Sequence, residues 1–132
     1  MALPPKTILM CSCEDTMRLD AAAIGRGCGN AEIRNYRQLC RAEIEKFRIA
    51  AGADGPLIVG CTQEAPLFSN EAVDRTDPIE FVNVRETAGW SSQGDRAGPK
   101  MAALLAAAAE PVPPVPFVSL SSDGVILIYG RD

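Results

Sequence analysis

Apolar and polar positions along the chain follow two rhythms. Short unbroken runs such as Thr7-Ile8-Leu9-Met10 and Leu57-Ile58-Val59-Gly60 read as strands buried on both faces. Between them, apolar positions recur every three or four residues. The clearest case is 38–51, where Cys40, Ile44, Phe47 and Ala51 share one helical face and Glu43, Glu45, Lys46 and Arg48 flank it. Gly52 and the Asp54-Gly55-Pro56 turn close that helix.

Read this way throughout, the chain has strands over 6–11, 31–36, 57–61 and 79–84, and helices over 17–24, 38–51, 66–73 and 99–109. Gly25, Gly27 and Gly29 break the chain after the first helix, and a polar loop over 89–98 precedes the last, alanine-rich one. Strands alternating with helices predict βαβ units. The expectation is an α/β, three-layer Rossmann-like domain over 1–110, with a mostly parallel sheet of four to five strands. A stiff proline-rich connector, 111–116, leads to 117–132, either a C-terminal hairpin or an extended first strand of a following domain. The end at Gly130-Arg131-Asp132, where a crossover helix would begin, favours the second.

At 132 residues the chain is long enough for one domain that buries roughly two-thirds of its unfolded surface without disulfides. It is 47% hydrophobic and 5% aromatic, which predicts an aliphatic and alanine core. A net charge of -4 with no basic block argues against nucleic acid or anionic membrane as a partner. No stretch reaches the roughly 20 apolar residues of a membrane span. The start, Met1-Ala2-Leu3-Pro4-Pro5-Lys6, lacks the shape of a secretory signal, so the expected compartment is the reducing cytoplasm. There the five cysteines are thiols or metal ligands. The chain has no histidine, which removes histidine-based acid–base chemistry, His-paired nucleophiles and mixed His/Cys zinc sites.

Four cysteines change the picture further. Cys11 and Cys13 leave the first strand, Cys61 leaves the third, and Cys40 opens the helix after the second. In a parallel sheet those positions share the carboxyl-end rim, where α/β folds bind ligands. Thiols converging there suit a soft metal centre or redox chemistry. Plain packing is the other reading for each one singly, since free cysteine is often buried. At a helix start, Cys40 would also have its thiolate favoured by the helix dipole. Cys28, in the Gly25-Arg26-Gly27-Cys28-Gly29 turn, falls on the opposite rim and reads as structural; that turn lacks the strand and the spacing of a phosphate loop. Arg85 and Trp90 leave the fourth strand on the cysteine rim, where Arg85 suits an anionic cofactor or a partner carboxylate and Trp90 a shield from water. A surface ion pair and a packed aromatic are the alternative.

The phrases Ile8-Leu9-Met10-Cys11-Ser12-Cys13, Tyr36-Arg37-Gln38-Leu39-Cys40, Val59-Gly60-Cys61-Thr62-Gln63 and Asn83-Val84-Arg85-Glu86, the last reaching Trp90, occur in that order. Together they resemble the amino-terminal domain of the A-type heterodisulfide reductase family and its bacterial relatives described as ferredoxins. The resemblance runs over about 6–109. It implies a cytoplasmic iron–sulfur domain of a larger flavin-dependent electron-transfer protein, with Cys11, Cys13, Cys40 and Cys61 as cluster-associated cysteines. Two departures stand out. Ala88 occupies the place before the tryptophan where such proteins often carry another cysteine, and neither a flavin domain nor dense C-x-x-C-x-x-C runs are present.

The function expected on this basis is a 4Fe–4S electron-transfer module of a larger oxidoreductase rather than a self-sufficient enzyme, with no catalytic residue assigned. Its partner would be a flavin- or iron–sulfur-containing redox protein or domain, and any FAD would belong to that partner or to a missing domain. A metal-free α/β domain that docks a redox partner through the rim over 85–90 is the alternative. A structural zinc site is a minor third, since the paired C-x₂₋₄-C knuckles common in such sites are missing.

Overall fold

A computed structural model describes residues 6–29, 31–111 and 115–131. Four parallel strands, β1 (Thr7–Cys11), β2 (Glu32–Tyr36), β3 (Leu57–Val59) and β4 (Ile79–Phe81), form one sheet in the order β2-β1-β3-β4. Four helices connect or follow them: α1 (Ala21–Gly27), α2 (Ile44–Ala51), α3 (Ala65–Glu71) and α4 (Gly98–Ala108). The strand order makes the chain step from β1 to β2 on one side, then cross back to β3 on the other. The carboxyl ends of β1 and β3 therefore flank a topological switch point, the position where open α/β sheets leave a crevice.

The side-chain alternation of the strands divides the core into two. Ile8 and Met10 of β1 face one way with Ile58, and there they meet Ile24 of α1 and Met101 and Leu105 of α4. Leu9, Leu57 and Val59 face the other way, onto Phe47 of α2 and Phe68 of α3. The strands β1 and β3 are buried on both faces, which is why their sequences are continuous apolar runs rather than alternating ones. The result is the three-layer α/β architecture expected from the sequence.

Element edges differ from the expectation for local reasons. The first helix begins at Ala21, not near Met17, because Asp20 caps it by accepting from the Ala23 amide at 2.9 Å. Met17 stays in the preceding loop, buried against the core. Gly25 and Gly27 are helical rather than breaking the chain, and the need for a small residue is steric: a Cβ on Gly27 would lie 2.5 Å from the Ala102 Cβ. That close approach lets α1 and α4 pack tightly. The second helix starts at Ile44, six residues later than its periodicity suggests. The Glu43 carboxylate accepts from the backbone amides of Arg37 (2.7 Å) and Gln38 (2.6 Å), so 37–43 folds into turns instead.

Beyond α4, the connector expected over 111–116 falls partly on 112–114, outside the described residues, as do 1–5, Asn30 and Asp132. Among the described residues 115–131 contain no strand, so the hairpin does not form there. Phe117, Leu120 and the run from Val125 to Tyr129 are exposed. Among the described residues no helix is long and apolar enough to cross a membrane.

Candidate functional site

The loops leaving β1, β2 and β3 place Cys11, Cys13, Cys40 and Cys61 on the wall of one cavity of about 190 Å³, together with Arg85. All four thiols are half-buried. Leu9, Val59 and Phe68 form the apolar part of the wall. Cys11 ends β1, and its sulfur accepts from the backbone amides of Cys13 and Leu39, each at 3.4 Å. Two amide donors on one sulfur are what a thiolate ligand takes up, and such donors tune a thiolate-held centre.

Cys13 stands on an unusual piece of backbone. Cys13, Glu14 and Asp15 have φ of 54°, 60° and 64°, three consecutive left-handed residues without a glycine. Each costs about 1–2 kcal/mol relative to its right-handed form. Hydrogen bonds hold the stretch in place: buried Ser12 donates to Asp15 and accepts from its amide, Asp15 pairs with Arg37, and the Glu14 amide donates to the Arg37 carbonyl. The Asp15 carboxyl lies below its usual range, chiefly through the Ser12 hydrogen bond and then through Arg37. Relief of this strain has a measurable consequence. Glu14→Gly raises stability by about 0.5–1 kcal/mol, once glycine's extra freedom in the unfolded chain is set against it. A urea midpoint that stays level or falls would show that the left-handed loop does not persist in solution.

Cys40 lies in the turn before α2 rather than at its first residues, so the helix dipole does not act on it as expected. Burial pushes its thiol up, and Glu64, Cys11 and Cys61 add to the shift. Burial raises Cys61 as well, partly opposed by the amides of Glu64 and Gln63 and by Arg85. At neutral pH these two groups are thiols, and metal binding has to release their protons. Among the described residues no three Cys, Asp or Glu side chains stand close enough to share a single ion. The four sulfurs surround the cavity instead of meeting at a point.

The segment after β4 closes the rim through a single π-helical turn, Arg85–Gly89, in which the amides of Gly89 and Trp90 bond to the carbonyls of Val84 and Arg85. Such turns are frequent at functional sites. Here the turn points the Arg85 guanidinium to within 3.3 Å of the Cys13 sulfur. Glu86 pairs with the same guanidinium, and its carboxyl falls below the usual range mainly for that reason. Trp90 does not line the cavity and is 51% exposed, so it does not shield the site as expected. Its ring lies 4.3 Å from the Arg85 guanidinium, and its Nε1 donates to Thr16 at 3.0 Å. Thr16 in turn donates to the Cys13 carbonyl at 2.7 Å.

Cys28 is remote from this cavity, at the end of α1 against the Ala102 carbonyl, and burial raises its thiol. Ala88 is fully buried in the core with residues of α4 and does not line the cavity. Sequence reasoning misses Glu14, Gln38, Arg41 and Glu64, which also line the cavity. Their only signal is adjacency to the cysteines in the same loops. No protein-family model, curated protein or solved structure matches the chain.

Proposed function

We propose that this chain is an iron–sulfur electron-transfer domain in which Cys11, Cys13, Cys40 and Cys61 hold a 4Fe–4S cluster. The observation that carries the reading is the arrival of four thiols from three separate loops on one cavity at the switch point of the sheet. The donor set is all sulfur, which suits soft metals and iron–sulfur clusters. A polynuclear cluster spreads its ligands around itself, as these sulfurs are spread, whereas a single zinc ion draws four to one point. The amides on Cys11 and the guanidinium on Cys13 supply the hydrogen bonds and charge that an anionic cluster takes. When bound, the cluster accepts and passes on single electrons. The chain's own residues hold it, keep one side apolar through Leu9, Val59 and Phe68, and place a positive charge beside it.

On this reading the domain works in the cytoplasm with a flavin- or iron–sulfur-containing redox partner, and any flavin sits in that partner. Anaerobic purification with iron, sulfide and zinc analysis tests it. The expected result is a broad visible absorption with about four iron and four sulfide per chain. Zinc without sulfide would make the site structural. Five free thiols with no metal would favour the metal-free docking domain, for which the half-exposed Trp90 on the same rim is the supporting observation.

A further inference from the structure

Arg85 lies 72 residues from Cys13 in sequence, yet it is the cation the fold brings onto one of the four sulfurs. Its position is heavily determined. The π-helical turn sets its backbone, Glu86 accepts from the guanidinium Nε at 2.8 Å, and the Trp90 ring covers its face at 4.3 Å. Trp90 is tied to the loop of Cys13 through Thr16, so the two loops are latched together at both ends of the arginine. The side chain is largely covered, with 18% exposure, so water screens its charge less than that of a free surface arginine. An arginine used only for a surface ion pair has no need of a sulfur partner, an aromatic cover and a strained opposing loop.

We infer that Arg85 is a positioning and tuning residue: its charge on the Cys13 sulfur sets the electron affinity of the centre, and Glu86 partly offsets it. This rests on the cluster reading above. The reaction concerned is the gain of one electron from an external one-electron reductant. No bond to the protein forms or breaks and no proton is required; the change is one added negative charge, which a nearby cation stabilises and a nearby anion opposes. Removing Arg85's charge therefore makes reduction harder, and removing Glu86's makes it easier. Opposite signs from adjacent residues are not what a merely structural role produces.

The test is a dithionite titration of the reconstituted full chain, with the midpoint followed by electron paramagnetic resonance and iron and sulfide measured in every sample. Arg85→Gln is expected to keep wild-type iron and sulfide while its midpoint falls by at least a tenfold change in the one-electron equilibrium, about 59 mV. Arg85→Lys recovers most of that shift, and Glu86→Gln moves the midpoint the other way. An unmoved midpoint in Arg85→Gln with iron intact overturns the inference but leaves the cluster reading standing. Loss of iron from Arg85→Gln also overturns it, placing the arginine in assembly. If Arg85→Gln does not fold, exposed Glu86→Gln decides alone: an upward shift supports the inference and no shift overturns it. Wild-type chain that takes up no iron and sulfide overturns both readings.

Discussion

Cys40→Ser is expected to lose iron and sulfide, while Cys28→Ser retains both at the wild-type ratio. Serine is nearly isosteric with cysteine but offers a hard oxygen in place of a soft sulfur. Removing a single sulfur from a four-thiol set leaves nothing in reserve, because the fifth cysteine sits against Ala102 at the end of α1. Supporting residues around metal centres already cost 10–100-fold in affinity when changed, so direct loss of a ligand should cost at least about 100-fold. Both thiols are half-buried and both are raised by burial, so the two variants are matched for everything except the cavity. Equal iron loss in the two, measured after identical reconstitution, would sink the ligand assignment. Retention in both would remove Cys40 from it.

Phe68→Ala carries the largest expected effect on stability, a loss of about 3–5 kcal/mol. Phe68 is 1% exposed and lies at the centre of an aromatic cluster, its ring 4.6 Å from that of Phe47 and 6.4 Å from that of Phe81. It also forms the apolar wall of the cysteine cavity, so truncation merges a packing void with the site. Against a typical stability of about 5–15 kcal/mol, such a loss is a third or more of the total. Ile49→Ala on α2, 62% exposed, should stay within about 0.5 kcal/mol. Urea unfolding of both variants checks the pair. A cost for Phe68→Ala no greater than that for Ile49→Ala would mean that α3 does not pack on the sheet as described.

How far the chain can be read without coordinates varies by element. The strands β1 and β3 are legible because burial on both faces demands an unbroken apolar run, as in Ile8-Leu9-Met10 and Leu57-Ile58-Val59. The late start of α2 is not legible. It depends on Glu43 reaching back to two amides, which periodicity does not encode. Helical Gly25 and Gly27 are missed for a similar reason: glycine reads as a breaker until a second helix comes close enough to exclude a side chain, as α4 does at Gly27.

The candidate site divides along the same line. Its four sulfurs follow from sequence once a parallel sheet is accepted, because every strand of such a sheet delivers its carboxyl end to one rim. The Arg85–Cys13 contact, the left-handed loop over 13–15 and the diversion of Trp90 from the cavity do not follow. Each depends on where two distant loops settle against one another, through hydrogen bonds such as Trp90 to Thr16 that span 74 residues. What sequence alone determines here is the layer architecture and the rim on which the cysteines lie, because hydrophobic period and strand polarity are local properties of the chain. Tertiary structure alone decides which charge faces which sulfur, because that is settled by packing between segments that carry no local record of each other.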